Sequence, residues 1–454
     1  MPEFWRQSIH LEPPRGWMND PNGLCWFQGR YHVFFQYGPD DAGGRGQKCW
    51  GHYESPDLLR WQFDGVALRP DTAEDRDGVY SGSAAADGDV LRLFYTGNVK
   101  YPGDYDYISA GREGNVLSVS TRDGRTMGAK QLLLTNRDYP GNCSCHVRDP
   151  KVWREDGGWK MVLGARSRDD QGRVLVYHSP DGIHWHRAAV VCGQQPFGYM
   201  WECPDFFRLD GRSVLSVSPQ GLPHEHLRFQ NVYQSGWFPV EGTLERGRLG
   251  SFAEWDMGFD FYAPQTFEAP DGRRLMIGWM GLPDCPYENP TAALGWQHCL
   301  TVPRELFFDG GERLCQRPAR ELDALLGEER SLSAGQETAI SLPFQAEAAP
   351  EGDFSLTLAG GLTLRWDSGA GLCSLTFTDQ TLGGGRTVRL ANLARCRSLR
   401  LLADTSSLEF YLDGGAAVFS TRFYPGDRTV SLRAEGTDLR LRPITPMEVT
   451  NCEA

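Results

Sequence analysis

The stretch W-M-N-D-P-N-G (Trp17 to Gly23) runs straight into L-C-W-F-Q-G-R-Y-H-V-F-F-Q: a polar motif, an apolar run, a Gly turn and a second apolar run. Four later segments repeat that order. They are Y-S-G-S-A-A from Tyr80, R-D-P-K from Arg148, E-C-P-D from Glu202 and F-Y-A-P-Q from Phe261. With Asp20, Ser81, Asp149, Glu202 and Tyr262 as markers, the steps are 61, 68, 53 and 60 residues. A recurrence near 60 residues, each unit a strand, a turn and a strand with more strands after it, predicts a propeller of about four strands per blade. The innermost strands of a propeller line one central channel. Asp20, Asp149 and Glu202 stand at the same place in their units, so they are expected to converge there.

A second repeat has the same period. S-P-D-L-L-R-W from Ser55 recurs as S-P-D-G-I-H-W from Ser179, with S-T-R-D-G at Ser120 between them. Asp and Gly supply turn chemistry, so each reads as the turn joining a blade's outer strands.

At 454 residues the chain is long enough for two domains. Its 46 Lys and Arg against 59 Asp and Glu give a net charge of −13, which argues against nucleic-acid and anionic-membrane partners. The 14 Trp, 16 Tyr and 23 Phe suit a carbohydrate site with flat aromatic faces, although most are expected to pack between blades. The N-terminus M-P-E-F-W-R-Q-S-I-H has no apolar core of a signal peptide, and no apolar stretch approaches the ~20 residues of a membrane helix. Twelve Cys without regular spacing read as reduced thiols, and the chain as cytoplasmic, a monomer or homodimer. Cys143, Cys145 and His146 lack a second ligand pair, so neither a metal nor a cofactor is expected.

The character changes after about Val302. Residues 1–312 read as the propeller, 313–330 as a linker with a short helix over Arg317 to Leu326, and 331–454 as an accessory antiparallel β-sandwich. In the last part F-S-L-T-L-A-G-G-L-T-L-R-W, L-C-S-L-T-F and S-L-E-F-Y-L-D-G-G-A-A-V-F alternate with period two around Gly turns. The fold class is thus all-β.

Cleaving an acetal between two sugars requires an acid for the leaving oxygen and a carboxylate to meet the developing oxocarbenium ion. Asp20, between Asn19 and Pro21 in a turn-like sequence, reads as ionised and suited to nucleophilic attack. Glu202 follows Met200 and Trp201, an apolar setting that raises a carboxyl's pKa and suits a general acid. Asp149 beside Arg148 reads as anionic and placed to hold sugar hydroxyls.

W-M-N-D-P-N-G, F-F-Q-Y, W-G-H, Y-S-G-S-A, R-D-P-K, W-E-C-P-D, D-F-Y-A-P-Q, I-G-W-M and L-T-V-P-R-E-L occur in that order, followed by D-T-S-S-L-E-F-Y-L-D-G. Over nearly its whole length the chain resembles glycoside hydrolase family 32: the invertases, sucrose-6-phosphate hydrolases, levanases and inulinases. The resemblance implies a five-bladed propeller followed by a β-sandwich, and retaining hydrolysis of β-fructofuranosides such as sucrose or sucrose 6-phosphate. It implies Asp20 as nucleophile, Glu202 as acid/base and Asp149 as transition-state stabiliser. It also implies that Asn19, Gln36, Ser81, Arg148, Tyr262 and Trp279 shape the sugar pocket, and Trp50 and Tyr80 are expected to contact the sugar as well.

Two departures bear on the substrate. Tyr80 stands where many relatives have Phe. Gly43, Gly44 and Arg45 occupy the stretch before W-G-H where many relatives place a Trp, so Arg45, with Lys48 nearby, is expected to meet a phosphate or a short fructoside. The competing readings are an exo-acting levan or inulin hydrolase, a transfructosylase, an inverting arabinan- or xylan-acting propeller enzyme, and a sugar-binding propeller without catalysis.

Overall fold

The computed structural model describes residues 3–452. Four antiparallel strands make the first blade: Gly16–Phe27, Arg30–Gly38, Cys49–Ser55 and Arg60–Leu68. Blade two is Val79–Asp87, Val90–Lys100, Arg112–Thr121 and Gln131–Leu134. Blade three is Cys143–Glu155, Gly158–Ser167, Gly172–Ser179 and His186–Val191. Blade four has Met200–Leu209, Arg212–Gln220 and Gly236–Glu241, edged by the short Arg248–Leu249 and Ala253–Glu254. Blade five has Tyr262–Glu268, Arg274–Met280, Arg304–Phe308 and Leu314–Pro318. The first strand of each blade packs on that of the next, and the fifth returns to the first, which closes a five-bladed propeller.

Alternation along the strands explains how the blades adhere. Phe34 packs towards blade two with Trp50, Leu93 and Tyr95, while its neighbour Phe35 packs towards blade five with Phe267 and Ile277. Phe94, between Leu93 and Tyr95, turns the other way to Trp159 and Trp185 of blade three. Because both faces of every blade are covered, the inner strands read as continuous apolar runs rather than half-polar ones. Most aromatics are used in this way, as expected. The three turns, Ser-x-Asp in blades one and three and Ser-x-x-Asp in blade two, join the third and fourth strands of those blades. In each, the Asp accepts backbone N–H bonds from the residues two and three further on: Asp57 from Leu59 and Arg60, Asp123 from Arg125 and Thr126, Asp181 from Ile183 and His184.

The C-terminal region is two stacked six-stranded antiparallel sheets around one apolar core that includes Phe344, Leu364, Phe410 and Leu432. In Ser407–Leu412, Leu408, Phe410 and Leu412 face that core, whereas Glu409 and Tyr411 face the propeller. A buried ion network joins the domains. His10 lies between Asp404 Oδ2 (2.8 Å) and Glu409 Oε1 (2.9 Å), and Arg304 pairs with Glu409 (2.6 Å) and Asp256 (3.1 Å).

Two stretches differ from the sequence reading of the boundaries. Leu314–Pro318, read as linker, pairs with Arg304–Phe308 as the outer strand of blade five, and the short helix is a 3-10 turn over Arg320–Leu325. Glu448–Asn451, read as sandwich, lies parallel to Arg60–Leu68 and extends the first blade. An open edge of unpaired N–H and C=O groups accepts any strand that reaches it, whatever that strand's position in the chain. No helix among the described residues is long and apolar enough to cross a membrane.

Candidate active site

Every inner strand is irregular at its marker. The antiparallel register slips between Met18 and Pro21, between Tyr80 and Gly82, between Arg148 and Lys151, between Glu202 and Asp205, and between Tyr262 and Gln265. A bulge adds a residue, interrupts the ladder and re-aims side chains. Asp149, Cys203 and Ala263 take φ of 64°, 45° and 47° at these points, a region non-Gly residues enter at a cost of about 1–3 kcal/mol. The Asp-Pro pairs are therefore bulges inside strands, not the turns their composition suggests. They turn five side chains into one mouth of the channel.

That mouth holds a cavity of about 310 Å³, lined by Trp17, Asn19, Asp20, Gln36, Tyr80, Ser81, Arg148, Asp149, Glu202, Tyr262 and Trp279. A larger cavity of about 500 Å³ opens at the other ends of the inner strands, but its charges are taken up by protein partners, as in Lys151–Asp205 and Arg154–Asp87.

A ring of hydrogen bonds fixes Asp20. Asn19 Nδ2 donates to Asp20 Oδ1 (3.1 Å) and to Gln36 Oε1 (3.2 Å); Gln36 Nε2 donates to Ser81 Oγ (2.7 Å); Ser81 Oγ donates to Asp20 Oδ2 (2.5 Å). Trp17 Nε1 donates to Asn19 Oδ1 (2.8 Å), which sets the amide's orientation. Burial raises the Asp20 pKa, the Ser81 and Asn19 donors oppose the rise, and the charge of Glu202 adds to it.

Glu202 accepts four bonds. Arg148 Nε (2.9 Å) and Nη2 (2.6 Å) donate to Oε1, and Gln220 Nε2 (2.7 Å) and Tyr262 Oη (2.6 Å) donate to Oε2. Its setting is thus polar, unlike the apolar one that Met200 and Trp201 suggest. Trp201 points into the core between blades three and four and donates its indole N–H to Phe197 O (2.7 Å). Asp149 is 5 % exposed and accepts from Cys203 N (2.9 Å). Burial pushes its pKa up. Arg148, 3.9 Å away and committed to Glu202, opposes the rise only partly, while Glu202 and Asp20 add to it. This departs from the expectation that Arg148 keeps Asp149 anionic.

Two expected pocket residues lie outside the lining. Trp50 is fully buried behind the wall, its Nε1 donating to Tyr80 O (3.0 Å). Arg45 is exposed. Its loop curls around the Asp41 carboxylate, which accepts from Gly43 N (2.9 Å) and Arg45 N (2.7 Å). Gly44, at φ 74°, lies so close to the Trp17 indole that a Cβ would stand 2.7 Å from it, and Arg45 is sent outwards. Lys48 reaches the wall instead, with Nζ 4.9 Å from the Trp17 ring centre and bonded to Gly44 O (2.9 Å). Arg112, Gln220, Tyr233 and Asp284 also line the cavity and stand in none of the repeated motifs.

Comparison with known proteins agrees with the fold and the motifs. Residues 10–318 match the description "Glycosyl hydrolases family 32 N-terminal domain", and residues 368–450 match "Glycosyl hydrolases family 32 C terminal". The chain belongs to glycoside hydrolase family 32. It is 40% identical to a sucrose-6-phosphate hydrolase of Klebsiella pneumoniae, covering 92% of this chain and 88% of the relative. It is also 40% identical to a raffinose invertase of Escherichia coli, over 96% and 93%. A β-fructofuranosidase of Bombyx mori, solved as a mutant in complex with sucrose, superposes with a TM-score of 0.86 at 30% identity, over 99% of this chain and 96% of the other.

Proposed function

We propose that this cavity hydrolyses the fructofuranosyl bond of sucrose or sucrose 6-phosphate with retention, by way of a covalent fructosyl-enzyme. The similar proteins are named a sucrose-6-phosphate hydrolase, a raffinose invertase and a β-fructofuranosidase, and these names support the reading. One observation supports the assignment of roles most strongly. Three carboxylates from three blades meet in one cavity, and each has different partners.

Asp20 is the nucleophile. Its carboxylate forms the bond to the anomeric carbon as the bond from that carbon to the leaving oxygen breaks. Donors at both oxygens hold it in one orientation, which lowers the reorganisation needed on attack. Glu202 gives its proton to the leaving oxygen and, as a carboxylate, takes one from the water that then cleaves the ester at Asp20. All four of its present bonds are donated to it, the arrangement of the step in which it accepts a proton. When it carries a proton, one of those donors must give way to the leaving oxygen. Asp149 lines the same cavity and holds fructosyl hydroxyls.

The test is the anomer first released from sucrose, read by NMR before mutarotation. Two inversions at one carbon give β-fructose. α-Fructose as first product would mean that water attacks directly, and Asp20 would lose its role.

A further inference from the structure

We propose that Arg112, at the start of the third strand of blade two, reads a phosphate carried by the leaving half of the substrate. This inference rests on the function proposed above and names which of its substrates the site is built for. Arg112 lines the cavity beside Arg148 and Glu202, with its guanidinium 5.4 Å from the centre of the Tyr80 ring. Because Glu202 delivers its proton to the leaving oxygen, the sugar that departs occupies the side of the cavity Arg112 faces.

Availability distinguishes Arg112 from the other cations on the wall. Arg148 is committed to Glu202 and to His146 Nδ1 (2.7 Å). Lys48 is bonded to Gly44 O, and the charges that act on it are those of Asp41 and Asp20, on the nucleophile's side. Arg112 has only its Nε engaged, donating to Asn98 Oδ1 (2.8 Å). That bond fixes the plane of the guanidinium and leaves both terminal amino groups without a protein acceptor among the described residues. No carboxylate there lies within ion-pairing distance of it, although the chain carries a net charge of −13.

Arg112 is half-buried, with a second guanidinium beside it and no ion-paired carboxylate of its own among the described residues. Burial and the neighbouring Arg148 depress its pKa, and Tyr80 and the Glu202 and Asp149 carboxylates oppose the fall only in part. An incoming dianion relieves both costs. A planar fork with two free amino groups matches two oxygens of one phosphate, whereas an unphosphorylated sugar offers it only neutral hydroxyls.

The test compares kcat/KM for sucrose 6-phosphate with that for sucrose in the wild type, Arg112→Gln, Arg112→Lys and Lys48→Gln. Hydrogen bonds to a charged group predict that the ratio of the two falls about ten- to a hundred-fold in Arg112→Gln, chiefly through KM, and less in Arg112→Lys. In Lys48→Gln the ratio holds. A ratio that stays within about threefold of wild type in Arg112→Gln overturns the proposal. Thermal shift with inorganic phosphate gives a readout independent of turnover: phosphate raises the Tm of the wild type, and not that of Arg112→Gln. Equal shifts in both proteins overturn the proposal even if neither sugar is cleaved. Failure of the wild type to release fructose from either sugar counts against the proposed function instead.

Discussion

Arg386 of the sandwich grips the carboxylate of Asp260 in the propeller with two parallel bonds, Nε to Oδ2 and Nη2 to Oδ1, each 2.7 Å. Asp260 stands two residues before Tyr262, whose hydroxyl donates to Glu202. Arg386 also donates to Asn289 Oδ1 (2.8 Å), at the end of the loop that brings Asp284 to the cavity. One buried guanidinium thus supports two parts of the site from the other domain. Arg386→Met leaves Asp260 charged, buried and unpaired, and is expected to lose about 3–5 kcal/mol of stability in urea unfolding. Adding Asp260→Asn to that variant should recover part of the loss, since the uncompensated charge is then gone.

Asp20→Asn and Glu202→Gln should each lower kcat/KM on sucrose by at least about 10²–10⁴-fold while the proteins remain folded. A fructoside with a phenol-like leaving group separates the two roles. It needs no proton on departure, so it should restore part of the rate to Glu202→Gln and none to Asp20→Asn.

Asp149 carries a stability cost that depends on pH. Its folded pKa is raised to about 7, above the ordinary carboxylate value. The charged form is therefore disfavoured by folding, and the penalty is absent below about pH 4, grows as pH rises and is complete above about pH 7. Asp149→Asn keeps an acceptor for Cys203 N and removes the charge. Its Tm should exceed that of the wild type at pH 8, and the two should converge at pH 4. A constant gap across that range would show that ionisation of Asp149 is not the source.

His10 has the opposite sign. Burial alone would lower its pKa, but the bonds to Asp404 and Glu409 outweigh it and raise it to about 9. Arg304 faces the far side of Glu409, and Ser407 Oγ stands 3.2 Å from His10 Nδ1. A raised folded pKa stabilises fully below the unfolded value of about 6.5 and is lost as pH rises through about 9. The stability difference between the wild type and His10→Gln should be largest at pH 6 and small at pH 10, measured by urea unfolding across that range.

The repeat was legible because it is written in local sequence: each unit opens with a polar motif that must break a ladder, and each closes with apolar runs covered on both faces. The ring Asn19–Gln36–Ser81–Asp20 was legible for the same reason, since its members sit in those motifs. What surrounds Glu202 was not. Its neighbours in sequence point to other faces, and its four bonds come from Arg148, Gln220 and Tyr262, on strands of blades three, four and five. Arg112 was missed because it opens a third strand, whose one recurring mark, the Ser turn, lies at the strand's other end. Arg45 was misplaced because its loop folds on Asp41 and on the face of Trp17, contacts that composition does not encode.

The parallel pairing of Glu448–Asn451 with Arg60–Leu68 has a temporal side. On the ribosome, the residues between Leu68 and Glu448, roughly 380 of them, take about 20–80 s to appear at about 5–20 residues per second. Throughout that interval the outer edge of the first blade stands bare, with Trp61 and Phe63 beside it and a row of amides open to any passing strand. The first blade to emerge is thus among the last to be finished. Until then the nascent chain carries an adhesive margin that Glu448–Asn451 later covers.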